Sequence, residues 1–132
     1  MAVYVVHERD DTLGGEPTEP RALATDVEIA DSTLDQMRGL MFRSELPDAL
    51  VLEVGTGGGM PFTSGPPRQL VHMLFVRHSL DVLWLHDDEV IKAARMHPWR
   101  SVGLARADRI IELPAGAAEG VSPGDTVRLV DR

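Results

Sequence analysis

Apolar residues are densest between Val71 and Leu85 (VHMLFVRHSLDVLWL), a run broken by Arg77-His78-Ser79 and carrying one carboxylate, Asp81. Successive side chains of an extended chain point to opposite faces. His72, Leu74 and Val76 therefore share one face and Val71, Met73 and Phe75 the other; beyond the break, Leu80, Val82 and Trp84 oppose Asp81, Leu83 and Leu85. With little polar surface on either side, the pattern predicts two consecutive buried strands joined by a tight corner. The acidic turn His86-Asp87-Asp88-Glu89 and the segment Val90 to Met96 then read as the return of a hairpin.

The flanking segments divide by period. Val3 to Val6 is a β-branched run suited to a first strand, and Glu8 to Arg21 gathers five acids, two glycines and two prolines, the composition of a mobile solvated loop. Ala22 to Ala30 alternates as one strand with a wet face. From Asp31 the register changes: Asp31-Ser32-Thr33 offers an N-cap, and Leu34, Met37, Leu40 and Met41 recur at helical spacing, predicting an amphipathic helix that ends near Phe42 to Ser44. Ala49 to Val54, Arg109 to Leu113 and Thr126 to Val130 read as strands, Ser101 to Asp108 as a loop, and Pro114 to Gly120 as a single helical turn. The pattern predicts an α+β fold, a small curled antiparallel sheet or barrel of six to seven strands with one main α-helix. Residues 1–21 form an N-terminal strand and mobile acidic loop, and residues 22–132 a single compact domain.

Charge changes this picture more than composition does. The net charge is -8, and 12 acidic against 4 basic residues lie in the first 53 positions, so the whole excess is N-terminal. Lys92 is the only lysine and cysteine is absent. Acid excess with so little lysine predicts adaptation to concentrated salt, where self-repulsion is screened. The same charge argues against nucleic acid as a partner. No apolar run approaches the length needed to span a bilayer, and no export signal is visible at the N-terminus, so the expected setting is cytoplasmic, with no membrane partner and a monomeric chain.

Three ordered motifs resemble those of domain-of-unknown-function family 192, also called uncharacterised protein family 0127. They are Gly39-Leu40-Met41-Phe42-Arg43 at the end of the expected helix, the His72 to Leu85 segment, and Ile111-Glu112-Leu113-Pro114-Ala115-Gly116 followed by Pro123-Gly124-Asp125. Together they cover about Ala22 to Asp131. The resemblance implies a compact α+β domain with a curled sheet and brings no activity with it.

Candidate chemistry is sparse. Asp81, among apolar neighbours, needs a cation or several backbone donors if it is buried, and Arg77 and Arg43 are the candidate partners. His72, His78, His86 and His97 with Asp87 and Asp88 lack metal-ligand spacing. The glycine-rich Gly55 to Met60 lacks the lysine and helix of a phosphate cradle, so no cofactor is expected. Trp84 reads as core, and Trp99, between Pro98 and Arg100, as a groove residue. The reading that results is a non-catalytic binding or accessory module with a shallow cleft for a small molecule or a protein partner. Its ligand-binding residues are Arg77, His78, Asp81, Trp99 and Arg43, beside the Gly55 to Pro67 loop. The alternative is a small acid–base hydrolase or lyase using Asp81 with His72 or His78.

Overall fold

A computed structural model describes residues 3–9, 20–30, 46–53, 68–73 and 76–131. These contain ten strands: β1 (Val3–Glu8), β2 (Arg21–Ala24), β3 (Val27–Ala30), β4 (Ala49–Glu53), β5 (Arg68–His72), β6 (Leu80–His86), β7 (Glu89–Met96), β8 (Val102–Arg106), β9 (Arg109–Pro114) and β10 (Thr126–Asp131). Eight form one sheet in the order β2-β1-β10-β7-β6-β9-β4-β3, and β5 and β8 form a separate two-stranded ribbon.

The expected α+β fold with six to seven antiparallel strands is therefore corrected. Ten strands and no helix occur among the described residues, and the large sheet is mixed, because β3 and β4 run parallel, and open rather than closed into a barrel. The helix expected from Asp31 to Ser44 lies outside the described residues, as do most of the acidic loop and the Gly55 to Pro67 segment. The extra strands have local causes. Ala22 to Ala30 is two strands, because the chain bends at Thr25-Asp26. There the Thr25 hydroxyl and the Asp26 N–H both donate to Asp48, and Ala49 N–H donates to the Asp26 carbonyl. The bend carries the chain directly from one edge strand of the open sheet, β2, to the other, β3. Ser101 to Asp108, expected as a loop, contributes β8. Of the two buried strands expected between Val71 and Leu85, the first is corrected: β5 runs from Arg68 to His72, is largely exposed, and pairs with β8 in the ribbon instead of lying in the main sheet.

Leu80 to Leu85 of β6 is buried throughout, and its two faces separate as the alternation predicts. Leu80, Val82 and Trp84 enter a core with Leu50, Val71, Met73, Met96 and Ile110 beneath the ribbon. Leu83 and Leu85 enter a second core with Val5, Val51, Val90, Ile111, Leu113 and Val127. Each such side chain contributes about 1.5–3 kcal/mol on leaving water. The hairpin turn has Asp87 and Asp88 both in the left-handed region (φ 49° and 68°), as a two-residue turn between twisted strands requires.

The ribbon seats on Trp84. Gly103 of β8 lies against the indole so closely that a Cβ there would stand 2.5 Å from Cη2 and 2.7 Å from Cζ2. The indole N–H donates to the Gln69 carbonyl of β5 at 3.1 Å, and the Lys92 ammonium lies 5.2 Å from the ring centroid.

Candidate functional site

Asp81 sits on the second face of β6, 7% exposed. Its cross-strand partner is Arg95 of β7, whose Nε donates to Oδ1 at 3.0 Å. Its other oxygen, Oδ2, accepts the Gly116 and Ala118 N–H groups at 2.9 and 3.0 Å. Those donors belong to the segment after β9, expected as one helical turn and found as successive tight turns closed by Ala117 N–H to Pro114, Glu119 N–H to Gly116 and Val121 N–H to Ala118. Gly116 adopts φ 95°, a conformation that suits glycine. The carboxylate thus binds β6, β7 and this turn together, satisfying the requirement that a buried charge be paired and hydrogen-bonded. The hydrogen bond to Asp81 and its charge raise the pKa of Arg95, with a smaller raising contribution from Glu119.

Among the described residues Arg95, rather than Arg77, is the cation on Asp81. Arg77 is exposed in the segment before β6, and Arg43 lies outside the described residues. Arg95 reaches Asp81 because of a bulge. Leu85 pairs with Val90 but Trp84 pairs with Lys92, leaving Ile91 as the extra residue. An unbroken register from the Asp87-Asp88 turn would set Asp81 opposite Ala94 and send Arg95 to the other face. Between the hairpin and the turn lies a cleft of about 230 Å³, walled by Asp81, Arg95, Leu83, Ala93, Ala118 and Glu119.

Trp99 is exposed, at φ 69°, in the turn before β8. Its N–H donates to the Met73 carbonyl at 2.9 Å, and the same carbonyl accepts the Val76 N–H at 3.1 Å. The turn bearing Trp99 and the segment leading to Arg77 and half-buried His78 therefore meet at the end of the ribbon. Asp81 is bonded elsewhere, so the expected constellation divides into a fold-holding carboxylate and a corner with Arg77, His78 and Trp99. His72, the other proposed acid–base partner, is exposed on β5.

A buried pair outside the sequence-based candidates is His7 with Asp125, 5% and 6% exposed, with Nε2 2.8 Å from Oδ2. The same Oδ2 accepts the Ser122 N–H at 3.0 Å, so the pair fastens β1 to the turn entering β10. Only the 118 positions between them kept the two from being linked in sequence. His86, Asp87 and Asp108 bring ligand-type atoms within 4.8 Å of one another. Asp108 also accepts the Asp87 N–H at 3.0 Å and donates its own N–H to Leu85, which explains the convergence as a link between two turns. Among the described residues no buried side-chain nitrogen or oxygen lacks a hydrogen-bond partner.

The ribbon presents the opposite chemistry. Its inner positions, Val71 and Gly103, pack on the core, while its outer face carries Arg68, Leu70 and His72 opposite Arg106, Leu104 and Val102. Leu70, Leu104 and Val102 are 60%, 50% and 67% exposed.

These features define a β-rich domain in which one mixed sheet is covered by a seated ribbon, with the buried carboxylates of Asp81 and Asp125 committed to holding turns. The model of the DUF192 family, described as uncharacterized ACR, matches residues 16–129, and the chain belongs to this family. A crystal structure of a candidate transcription regulator from Sinorhizobium meliloti 1021 is similar at TM-score 0.70 and 19% identity, over 96% of this chain and 93% of that one. A protein of unknown function from Novosphingobium aromaticivorans DSM 12444 is similar at TM-score 0.68 and 23% identity, over 96% of this chain and 84% of that one. At these identities the likeness is one of fold. No curated protein matches the chain.

Proposed function

We propose that the protein is a non-catalytic binding or accessory module, acting as a monomer in a salt-rich cytoplasm. The observation that carries this reading is the outward apolar row of the ribbon, Leu70, Leu104 and Val102, on strands whose end meets the corner bearing Trp99, Arg77 and His78. A ribbon face left to water favours polar residues, and a contiguous apolar patch is characteristic of an interaction surface. The acid–base alternative finds no support at Asp81, both of whose oxygens are occupied by structural donors. No helix among the described residues is long and apolar enough to cross a membrane.

A thermal-shift screen of metabolites and short peptides at about 0.1 M and about 1 M KCl tests the reading. Ligands are expected whose stabilisation disappears in Leu104→Glu or Trp99→Ala. A screen without any shift, together with a hydrolase or lyase turnover abolished by Asp81→Asn, would overturn it.

A further inference from the structure

We infer that the outer face of the β5–β8 ribbon docks an extended acidic polypeptide segment of a partner protein, with its apolar side chains on the leucines and a carboxylate at the arginine end. This rests on the binding-module reading and adds the partner's chemistry. Along the ribbon axis the outer face runs in three tiers, Arg68 opposite Arg106, Leu70 opposite Leu104, and His72 opposite Val102. The first tier carries two guanidinium groups, and a carboxylate placed over it can pair with Arg68. The Arg68 side chain makes no hydrogen bond or ion pair among the described residues. The next two tiers are mainly apolar and exposed.

The charge distribution selects an acidic occupant. Residues 54–80 and 90–107, which supply both ribbon strands, hold six lysine and arginine residues and no acid; the remainder holds seven against 21 acids. In a strongly acidic chain the ribbon is thus drawn entirely from acid-free sequence, and it attracts carboxylates that the rest of the protein repels. A second copy docked face to face fits poorly, since a two-fold contact sets the Arg68–Arg106 tier either against itself or against the His72–Val102 tier, and neither supplies a carboxylate. Nucleic acid fits poorly as well, because the centre of the face is aliphatic rather than an aromatic stacking platform and the net charge is -8. On an extended partner, alternate residues share a face, so acid, apolar, apolar at successive alternate positions matches the three tiers.

The test uses a short fluorescent peptide with glutamate, leucine and valine at alternate positions and threonine between them, its lysine-for-glutamate counterpart, and an oligothymidylate. Anisotropy is measured against the full chain at about 0.1 M and about 1 M KCl. The acidic peptide is expected to bind, more weakly at high salt, and to lose at least about ten-fold in affinity in both Leu104→Glu and Arg68→Glu. Both substitutions are at exposed positions, and melts matching the unsubstituted chain confirm that they report on docking. Binding of the lysine peptide or the oligonucleotide in place of the acidic peptide would overturn the acidic-partner inference and leave the module reading standing. Failure of every probe would overturn the partner inference too, and the module reading falls with it only if the thermal-shift screen is also silent.

Discussion

Gly103→Ala tests whether the ribbon is seated as described. The added methyl would stand 2.5 and 2.7 Å from two carbons of the Trp84 ring, about 1 Å inside ordinary carbon–carbon contact. The indole cannot yield easily, since it is fully buried, its N–H is bonded to Gln69, and Lys92 lies over the ring. The ribbon must lift instead. Overpacking of a well-packed core costs about 1–3 kcal/mol, and loss of the indole hydrogen bond adds about 1 kcal/mol, giving a loss of about 2–4 kcal/mol. For a chain of this size the unfolding entropy corresponds to about 4 °C per kcal/mol, so the melting temperature should fall by about 8–16 °C. The assay is a thermal melt followed by far-UV circular dichroism, with near-UV ellipticity reporting the indole environment. A variant that melts within about 1 °C of the unsubstituted chain with an unchanged near-UV band would refute the packing of β8 on Trp84.

Asp81→Asn removes the charge and gives the site one acceptor oxygen where two are used. Denaturant melts should show a loss of about 2–4 kcal/mol, with a smaller loss for Arg95→Met, which leaves both turn N–H bonds intact; equal losses would contradict the turn-holding role. His7→Leu leaves the buried Asp125 with one donor fewer, costing about 2–4 kcal/mol, and a double-mutant cycle with Asp125→Asn should return a coupling above about 1 kcal/mol. Gly116→Ala meets no neighbouring atom, so its cost comes from the left-handed backbone alone, about 1–2 kcal/mol by chemical denaturation. The salt-adaptation proposal predicts that raising KCl from about 0.1 M to about 1 M increases the melting temperature as self-repulsion is screened, and a flat or falling curve would end it.

The β6–β7 hairpin was legible because its signals are local: strict alternation in Leu80 to Leu85, a two-residue acidic turn, and a returning apolar strand. The division of Leu80, Val82 and Trp84 from Asp81, Leu83 and Leu85 followed from that alternation alone. What escaped was set by single residues acting at a distance. The bulge at Ile91 decides which face Arg95 occupies, and nothing in Val90 to Met96 marks it. Asp48 splits Ala22 to Ala30 by accepting bonds at Thr25 and Asp26 from across a parallel pair. β8 looked like a loop because its outward leucine and valine face solvent and its inward residues are only Gly103 and Ala105, the reverse of the pattern that identifies a half-buried strand. Asp81 was recognisable as a residue in need of partners, and the partners themselves required the fold.

β1 waits for β10. β10 lies between β1 and β7, so the β1–β2 pair reaches the main body of the sheet through residues near the far end of the chain. A ribosome must therefore release Thr126 to Asp131 before the second edge of Val3 to Glu8 can be paired, leaving β2 as the only sheet neighbour that β1 can have until then.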